Sequence, residues 1–328
     1  MTSTGVPHES ASSGDLVTPA DVRTAAVALR DVVVRTPLLP VPWLPGAEVR
    51  VKCENLQRAG AFKIRGAYTA ISRLSEEKRR AGVIAYSSGN HAQGVALAAK
   101  LFGIRAVVVM PTTSPEVKRA GAMRLGAEVI LEGTTSLERQ QRAESIAAEQ
   151  GLTIIPAFDD VDIITGQGTV GLEILEDWAD VQVIVVPIGG GGVISGVSAY
   201  VKQTRPDVRV IGVEPETADA MHQSIAAGRP VTIPPATTVA DGLMPVRPGD
   251  LTFEHVRAFV DDIVRVDDAA IIEAARRLIS ESKLVVEFSG AASVAALLSG
   301  AIDMKGERTA AVLSGGNMDP ARARELFG

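Results

Sequence analysis

The chain has one cysteine, Cys53, among 328 residues. No intrachain disulfide can form, and a reducing, cytoplasmic location is expected. Aromatic residues make up only 4%, too few for a base-stacking platform. There is no excess of positive charge: the formal net charge is −6, which argues against nucleic acid or an anionic membrane as a partner. Short basic runs such as Lys78-Arg79-Arg80 read as solvated helix faces. The four histidines, His8, His91, His222 and His255, are far apart and show no zinc-binding spacing. No apolar run approaches the length of a membrane span, and the N-terminus lacks a charged-then-apolar signal pattern. What remains, 46% hydrophobic and 22% charged, is ordinary for a soluble globular protein with one large or two medium domains.

Glycine, by contrast, is concentrated. Gly189 to Gly192 are consecutive, between a strand VQVIVVPI (Val181 to Ile188) and a helix VISGVSAYVKQ (Val193 to Gln203). Such a run lets successive backbone N–H groups curl around one anion, and the following helix N-terminus adds partial positive charge. The dinucleotide fingerprint is absent, because Ser195 stands where its third glycine belongs. No Lys-Ser or Lys-Thr follows, so this is not a P-loop. The pattern suits one phosphate monoester; a turn built only for tight strand–helix packing is the alternative. Three further junctions follow strands: Ser87-Ser88-Gly89-Asn90-His91, Glu214-Pro215-Glu216 and Ser314-Gly315-Gly316-Asn317. In a parallel sheet the C-terminal strand ends share an edge, where ligands bind.

Residues 1–15, rich in Ser, Thr and Gly, read as a disordered tail. Thr18, Pro19 and Asp21 mark a helix start. Strands at 83–86, 105–110, 128–132 and 153–156 alternate with helices at 90–102, 114–125 and 134–150, a parallel βαβ series. The glycines at 151, 166, 168 and 171 read as a junction before a second series, with strands near 182–187, 208–213 and 310–314. The site is therefore expected between two α/β lobes: a large domain of residues 16–80 and 158–328, and a small one, 81–157, inserted in it.

Lys63 follows Phe62 and has small and apolar neighbours. A desolvated lysine favours its neutral form, which Schiff-base chemistry needs; a surface charge is the plainer alternative. At this point a resemblance enters. ENLQRAGAFKIRGA (Glu54 to Ala67) resembles the cofactor-lysine motif of fold-type II pyridoxal-phosphate enzymes, specifically the threonine dehydratase and serine racemase family. SSGNHAQGVALAAK resembles that family's asparagine loop, IPAFDDVDIITGQGT (Ile155 to Thr169) its interdomain crossing, PIGGGGVISG its phosphate loop, GVEPE its metal-proximal turn and LSGGN its pyridine-nitrogen contact. Six motifs stand in the family's order, over nearly the whole chain from about Asp15.

The resemblance implies the two-lobed α/β fold of the tryptophan synthase β kind, with parallel sheets flanked by helices, and pyridoxal 5'-phosphate as cofactor. It implies Lys63 as the covalent partner and Phe62 near the ring. Asn90 would bond the phenolic oxygen, Gly189, Gly190, Gly191 and Gly192 the phosphate, and Ser314 the pyridine nitrogen. Ser87, Ser88, Asn90 and His91, at a helix start, would hold the substrate carboxylate, with Arg139 as a further candidate. A neutral hydroxyl at Ser314 leaves the ring a weaker electron sink, which favours expulsion of a β-hydroxyl.

Two departures stand out. Cation-binding relatives use a glutamate, a carbonyl four residues on and an acid six residues on; here these are Glu214, Ala218 and Ala220, with Asp219 adjacent. The acid is missing, so a divalent cation is in question and a monovalent one is the better candidate. Glu287 is followed by Phe288 where the family usually has proline. Ser88 stands where most dehydratases carry alanine. It is either an acid–base group opposite Lys63 or a support for the carboxylate. The expected function is an ammonia-lyase acting on L-threonine or L-serine. The alternatives are a serine racemase and a threo-3-hydroxyaspartate ammonia-lyase. A homodimer or homotetramer is expected.

Overall fold

The computed structural model describes residues 16–44, 46–87, 89–114 and 116–327. The tail expected at 1–15 lies outside them, as do Pro45, Ser88 and Pro115. Helix α1 (Pro19–Leu29) begins with the expected reciprocal cap between Thr18 and Asp21. Strands β1 (Leu38–Pro40) and β2 (Val49–Lys52) pair antiparallel, and α2 (Lys63–Arg73) and α3 (Glu76–Ala81) follow. Then come β3 (Val83–Tyr86), α4 (Asn90–Phe102), β4 (Ala106–Met110), α5 (Glu116–Arg124), β5 (Glu128–Leu131), α6 (Ser136–Gln150) and β6 (Thr153–Ile154). The chain continues as α7 (Val161–Asp177), β7 (Val183–Pro187), α8 (Gly192–Thr204), β8 (Arg209–Pro215), α9 (Ala220–Ala227) and α10 (Asp250–Phe259). It ends with β9 (Asp262–Val266), α11 (Asp268–Ser282), α12 (Phe288–Leu298), β10 (Thr309–Val312) and α13 (Pro320–Glu325).

These strands make two sheets. One has the order β1-β2-β10-β7-β8-β9 and is parallel except for β1; the other is parallel, in the order β5-β4-β3-β6. The fold is α/β, with parallel sheets flanked by helices. Strand β7, VIVVP, is buried throughout because helices cover both sheet faces. Val183 and Val185 enter one apolar core and Ile184 and Val186 the other, the period-two division of a strand. Val108 and its neighbours Val107 and Val109 divide in the same way in the second sheet.

The glycines beyond Gly151 do not form a junction. Gly151 closes α6 in a left-handed conformation, but Gly166, Gly168 and Gly171 lie inside α7. They make that helix thin. A Cβ on Gly166 would lie 2.5 Å from the Arg65 carbonyl oxygen in α2, and one on Gly168 would lie 2.9 Å from the Gly196 carbonyl oxygen in α8. Close backbone approach, rather than chain reversal, is what these residues permit.

A buried ionic cluster fixes α2 between β2 and α7. Arg65 Nε and Nη2 donate to the two Glu54 oxygens at 2.8 Å each. Its Nη1 and Nη2 donate to Glu173 at 2.7 and 3.0 Å. Lys52 Nζ adds a 2.5 Å bond to Glu173. Arg65 and Lys52 are both fully buried, and the planar guanidinium serves two carboxylates bidentately. Lys63 lies two residues before Arg65, so this cluster sets the position of the first turn of α2.

Candidate active site

The parallel pairing of β10 with β7 brings their C-terminal ends together. The glycine run follows β7, and Ser314 follows β10 by two residues. Phe62 N donates to the Ser314 carbonyl at 3.2 Å, and Ala61 bridges to Gly315. The first turn of α2 therefore rests against the Ser314 turn. Phe62 is buried, and Lys63 Nζ lies 5.0 Å from its ring centroid.

Helix α4 approaches Lys63 from the other sheet. A Cβ on Gly94 would lie 3.0 Å from Lys63 Cβ, so glycine there permits the contact. Lys63 Nζ donates to the Ala157 carbonyl at 2.8 Å. Burial pushes its ammonium down to about 8, so a useful fraction is neutral near physiological pH. One turn before Gly94, buried His91 has its Nε2 2.9 Å from the Ile155 carbonyl. Burial, and then the Lys63 charge, hold His91 down to about 3. The ring is neutral, Nε2 carries the proton, and the bare Nδ1 has no partner among the described residues.

Asn90 begins α4. Its Nδ2 donates to Glu287 Oε1 at 2.5 Å, and its Oδ1 accepts from Asn317 Nδ2 at 2.7 Å. Both bonds join the two sheets' elements and fix the amide's orientation. Glu287 is buried; burial, then the nearby Asp241 carboxylate, push it up to about 7. Lys118 of α5 pairs with Asp241 beside it.

Helix ends identify where an anion is wanted. The cap residues of α1, α3, α6, α7, α11 and α13 accept backbone N–H groups through their side chains. Two more helices are capped from a distance: Glu214 serves α9 and Asp159 serves α10. Among the described residues α2, α4, α8 and α12 have no such cap, and they begin at Lys63, Asn90, Gly192 and Phe288. All four starts belong to the cluster just described. Helix α8 begins among buried residues, with Gly191 in the left-handed region at φ 97°. Buried N–H groups there require an acceptor from outside the chain.

The glycine run is also tightly packed on its outer side. A Cβ on Gly190 would lie 2.2 Å from the Phe158 ring, and one on Gly191 would lie 2.9 Å from Thr252 Cβ. Packing and anion binding thus both require glycine here.

The donor set fits pyridoxal 5'-phosphate: a lysine amine of lowered basicity, an uncapped helix start at the last of four glycines, a fixed amide at Asn90 and a neutral, buried hydroxyl at Ser314. It does not fit a divalent cation. The Glu214 oxygens accept from Met221 N at 2.9 Å and His222 N at 2.8 Å, and Asp219 pairs with Arg265 at 3.1 Å. Ala218 could offer its carbonyl, but Ala220 has no oxygen-bearing side chain to complete the set. Among the described residues no group of three His, Cys, Asp or Glu side chains could hold a metal. The physical reason is that α9 has taken the carboxylate for its own N-terminus.

Residues 29–315 match the family model described as pyridoxal-phosphate dependent enzyme. The chain belongs to that family. Among its relatives, L-threonine ammonia-lyase of Thermotoga maritima is 47% identical over 307 residues, covering 93% of this chain and 76% of that protein. L-threo-3-hydroxyaspartate ammonia-lyase of Pseudomonas is 40% identical, covering 94% and 97%. Maize serine racemase superposes with a TM-score of 0.91 at 38% identity, covering 94% and 96%.

Within this pyridoxal-phosphate-dependent enzyme, Phe62, Lys63, Asn90, His91, Gly189 to Gly192 and Ser314 are brought together. Ser87 lies beside them, its hydroxyl 3.4 Å from Gly89 N. Ser88 lies outside the described residues. Arg139 stands apart: its bonds go to Thr134 and Ser136 in its own turn, and none reaches Lys63 or Asn90. Phe158, Asp159 and Thr252 carry no signal of their own in the sequence, and Asn317 enters only as the end of the Ser314 junction. Their only signal was membership of, or pairing with, motifs whose side chains carried no obvious chemistry. No helix among the described residues is long and apolar enough to cross a membrane.

Proposed function

We propose that the enzyme is an ammonia-lyase converting L-threonine and L-serine to a 2-oxo acid and ammonia by α,β-elimination. The observation that carries this reading is Lys63, an amine held near neutrality beside two uncapped helix starts. Bound pyridoxal 5'-phosphate supplies a sink for the electron pair left at Cα when its proton departs. The chain's residues do the rest. Gly189 to Gly192 and the α8 start hold the phosphate, Lys63 provides the covalent attachment, and Phe62 packs against the ring. Asn90, oriented by Glu287 and Asn317, would bond the phenolic oxygen. Ser314 would bond the pyridine nitrogen without imposing a proton on it. Ser87, Ser88, Asn90 and His91 receive the substrate carboxylate at the α4 start. Lys63, free once substrate is bound, removes the Cα proton. The β-hydroxyl leaves as water, and the released enamine hydrolyses to the oxo acid and ammonia.

A second reading, as serine racemase or threo-3-hydroxyaspartate ammonia-lyase, is favoured by relatives bearing those names and by serine at position 88. We take residues 16–80 and 158–328 as the cofactor-binding domain and 81–157 as the inserted one, in a cytoplasmic homodimer or homotetramer. The separate sheet of β3 to β6 supports the division into domains, and the single, buried Cys53 supports the reducing compartment.

The test is a side-by-side assay of L-threonine, L-serine and L-threo-3-hydroxyaspartate for oxo acid, ammonia and inverted amino acid, with Lys63→Ala as control. Ammonia from threonine and serine, a yellow wild type and a colourless, inactive, folded Lys63→Ala are expected. Absence of ammonia from all three substrates refutes the reading.

A further inference from the structure

Three consecutive residues of the crossing from β6 to α7 touch three parts of the site. The Ala157 carbonyl receives Lys63 Nζ. Phe158 packs its ring against Gly190 and its Cβ against Gly192. Asp159 accepts from Asp250 N at 3.1 Å, Leu251 N at 3.0 Å and Thr252 N at 3.1 Å, the opening N–H groups of α10. The cap residue of α10 is Gly249, which has no side chain to offer. A Cβ there would lie 2.0 Å from Asp159 Oδ1. A carboxylate from 90 residues upstream thus occupies the place of the missing cap.

The helix held in this way presents Thr252, which is fully buried. Its hydroxyl lies 2.8 Å from the Gly190 carbonyl and 3.2 Å from the Gly249 carbonyl. Ser195 of α8 donates to the Thr252 carbonyl at 3.2 Å, closing the arrangement from the other side. The geometry of the peptide unit then decides what the hydroxyl does. In a planar trans peptide, C=O and the following N–H point in opposite directions. A Gly190 carbonyl fixed on Thr252 turns the Gly191 N–H to the opposite face, away from α10. Gly191 has φ 97°, and glycine has no side chain to stabilise one orientation of this unit. Nothing within the glycine pair itself selects one orientation of the Gly190–Gly191 peptide.

We propose that Thr252 is a positioning residue of the anion nest, held in place by Asp159, and that its hydroxyl orients the Gly190–Gly191 peptide so that N–H donates to a phosphate monoester. The inference rests on the reading of the glycine run as the cofactor-phosphate site.

The test is displacement of the bound cofactor from holoenzyme by pyridoxal, which lacks the phosphate. It is followed by the visible band and by the pyridoxal 5'-phosphate released, in wild type, Thr252→Ser, Thr252→Val and Asp159→Asn. Valine keeps the shape and removes the hydroxyl. Wild type and Thr252→Ser are expected to resist displacement equally. Thr252→Val should yield its cofactor at about tenfold lower pyridoxal, the loss expected for one hydrogen bond, and Asp159→Asn should shift in the same direction by less. A Thr252→Val holoenzyme as resistant as wild type overturns the inference, and so does a serine variant that behaves like valine. A wild type that shows no preference for the phosphorylated ligand instead refutes the glycine run as phosphate site.

Discussion

Asn90 and Glu287, 197 residues apart, share a 2.5 Å hydrogen bond between α4 and the residue preceding α12. Glu287 is held near 7 by burial and by Asp241, against an ordinary value of 4.5. Between those limits the folded protein keeps a proton that the unfolded chain has released, so this group's contribution falls as pH rises. Glu287→Gln keeps the acceptor and removes the titration. Thermal unfolding of both proteins from pH 5 to pH 8 should show the variant gaining on wild type, by on the order of 2 kcal/mol at the alkaline end. A pH-independent difference contradicts this role. On the acid side the sign reverses: His91, held down to about 3, resists charging, so stability is lost as pH falls through its unfolded value of 6.5.

Arg65 serves Glu54 and Glu173 together in a fully buried setting. Arg65→Met leaves Glu54 without a cationic partner and Glu173 with Lys52 alone, and should cost about 3–5 kcal/mol in urea unfolding. Arg65→Lys should recover little, since an ammonium cannot face two carboxylates bidentately. Full recovery by lysine would show that only the charge counts.

The Phe158 ring lies where a Gly190 side chain would go. Gly190→Ala should therefore lower both the melting temperature and cofactor retention. Adding Phe158→Ala should return part of the stability, a coupling of about 1–2 kcal/mol between neighbours. Strict additivity in that double-mutant cycle would mean that the clash is relieved elsewhere.

Because the Glu214 oxygens are engaged by Met221 N and His222 N, dialysis against a chelator should leave activity and melting temperature unchanged. Saturable reactivation by magnesium or calcium would show that the cap opens to admit a cation.

Substitution at Ser88 tests elimination against inversion. Racemisation needs proton delivery to the face of Cα opposite Lys63, and elimination does not. With Ser88→Ala, deuterium incorporation into D-serine should disappear while pyruvate formation from L-serine persists. A uniform rise in KM with an unchanged ratio of the two activities assigns Ser88 to carboxylate support.

Much of this architecture was legible because it is local. The strand at 83–86 and the helix at 90–102 are found as read, since a VIAY run and a SSGN junction state both period and boundary. Strand β9, DIVRV, carries no strand signal in the sequence: it is an edge strand with an exposed start and shows no apolar alternation. The short pair β1 and β2 was likewise silent, with Pro40 at the edge. The glycines of α7 misled because spacing alone does not tell a turn from a thin helix face. Glu287 drew attention only through the residue after it. Its partnership with Asn90, like those of Asp159 and Thr252, depends on contacts between distant segments that no window of sequence contains.

The position of β10 between β2 and β7 has a consequence for biosynthesis. The four strands of the smaller sheet lie within residues 83–154 and can associate as soon as that stretch has left the ribosome. The larger sheet has no centre until residue 312 has been made, and β2 must wait for a neighbour more than 250 residues younger. Until then the turn carrying Ser314 does not exist, and Phe62 N has no carbonyl to meet. The cluster around Lys63 therefore assembles only once the chain has been made through Ser314. A nascent chain stalled short of β10 offers Lys63 but not the site around it.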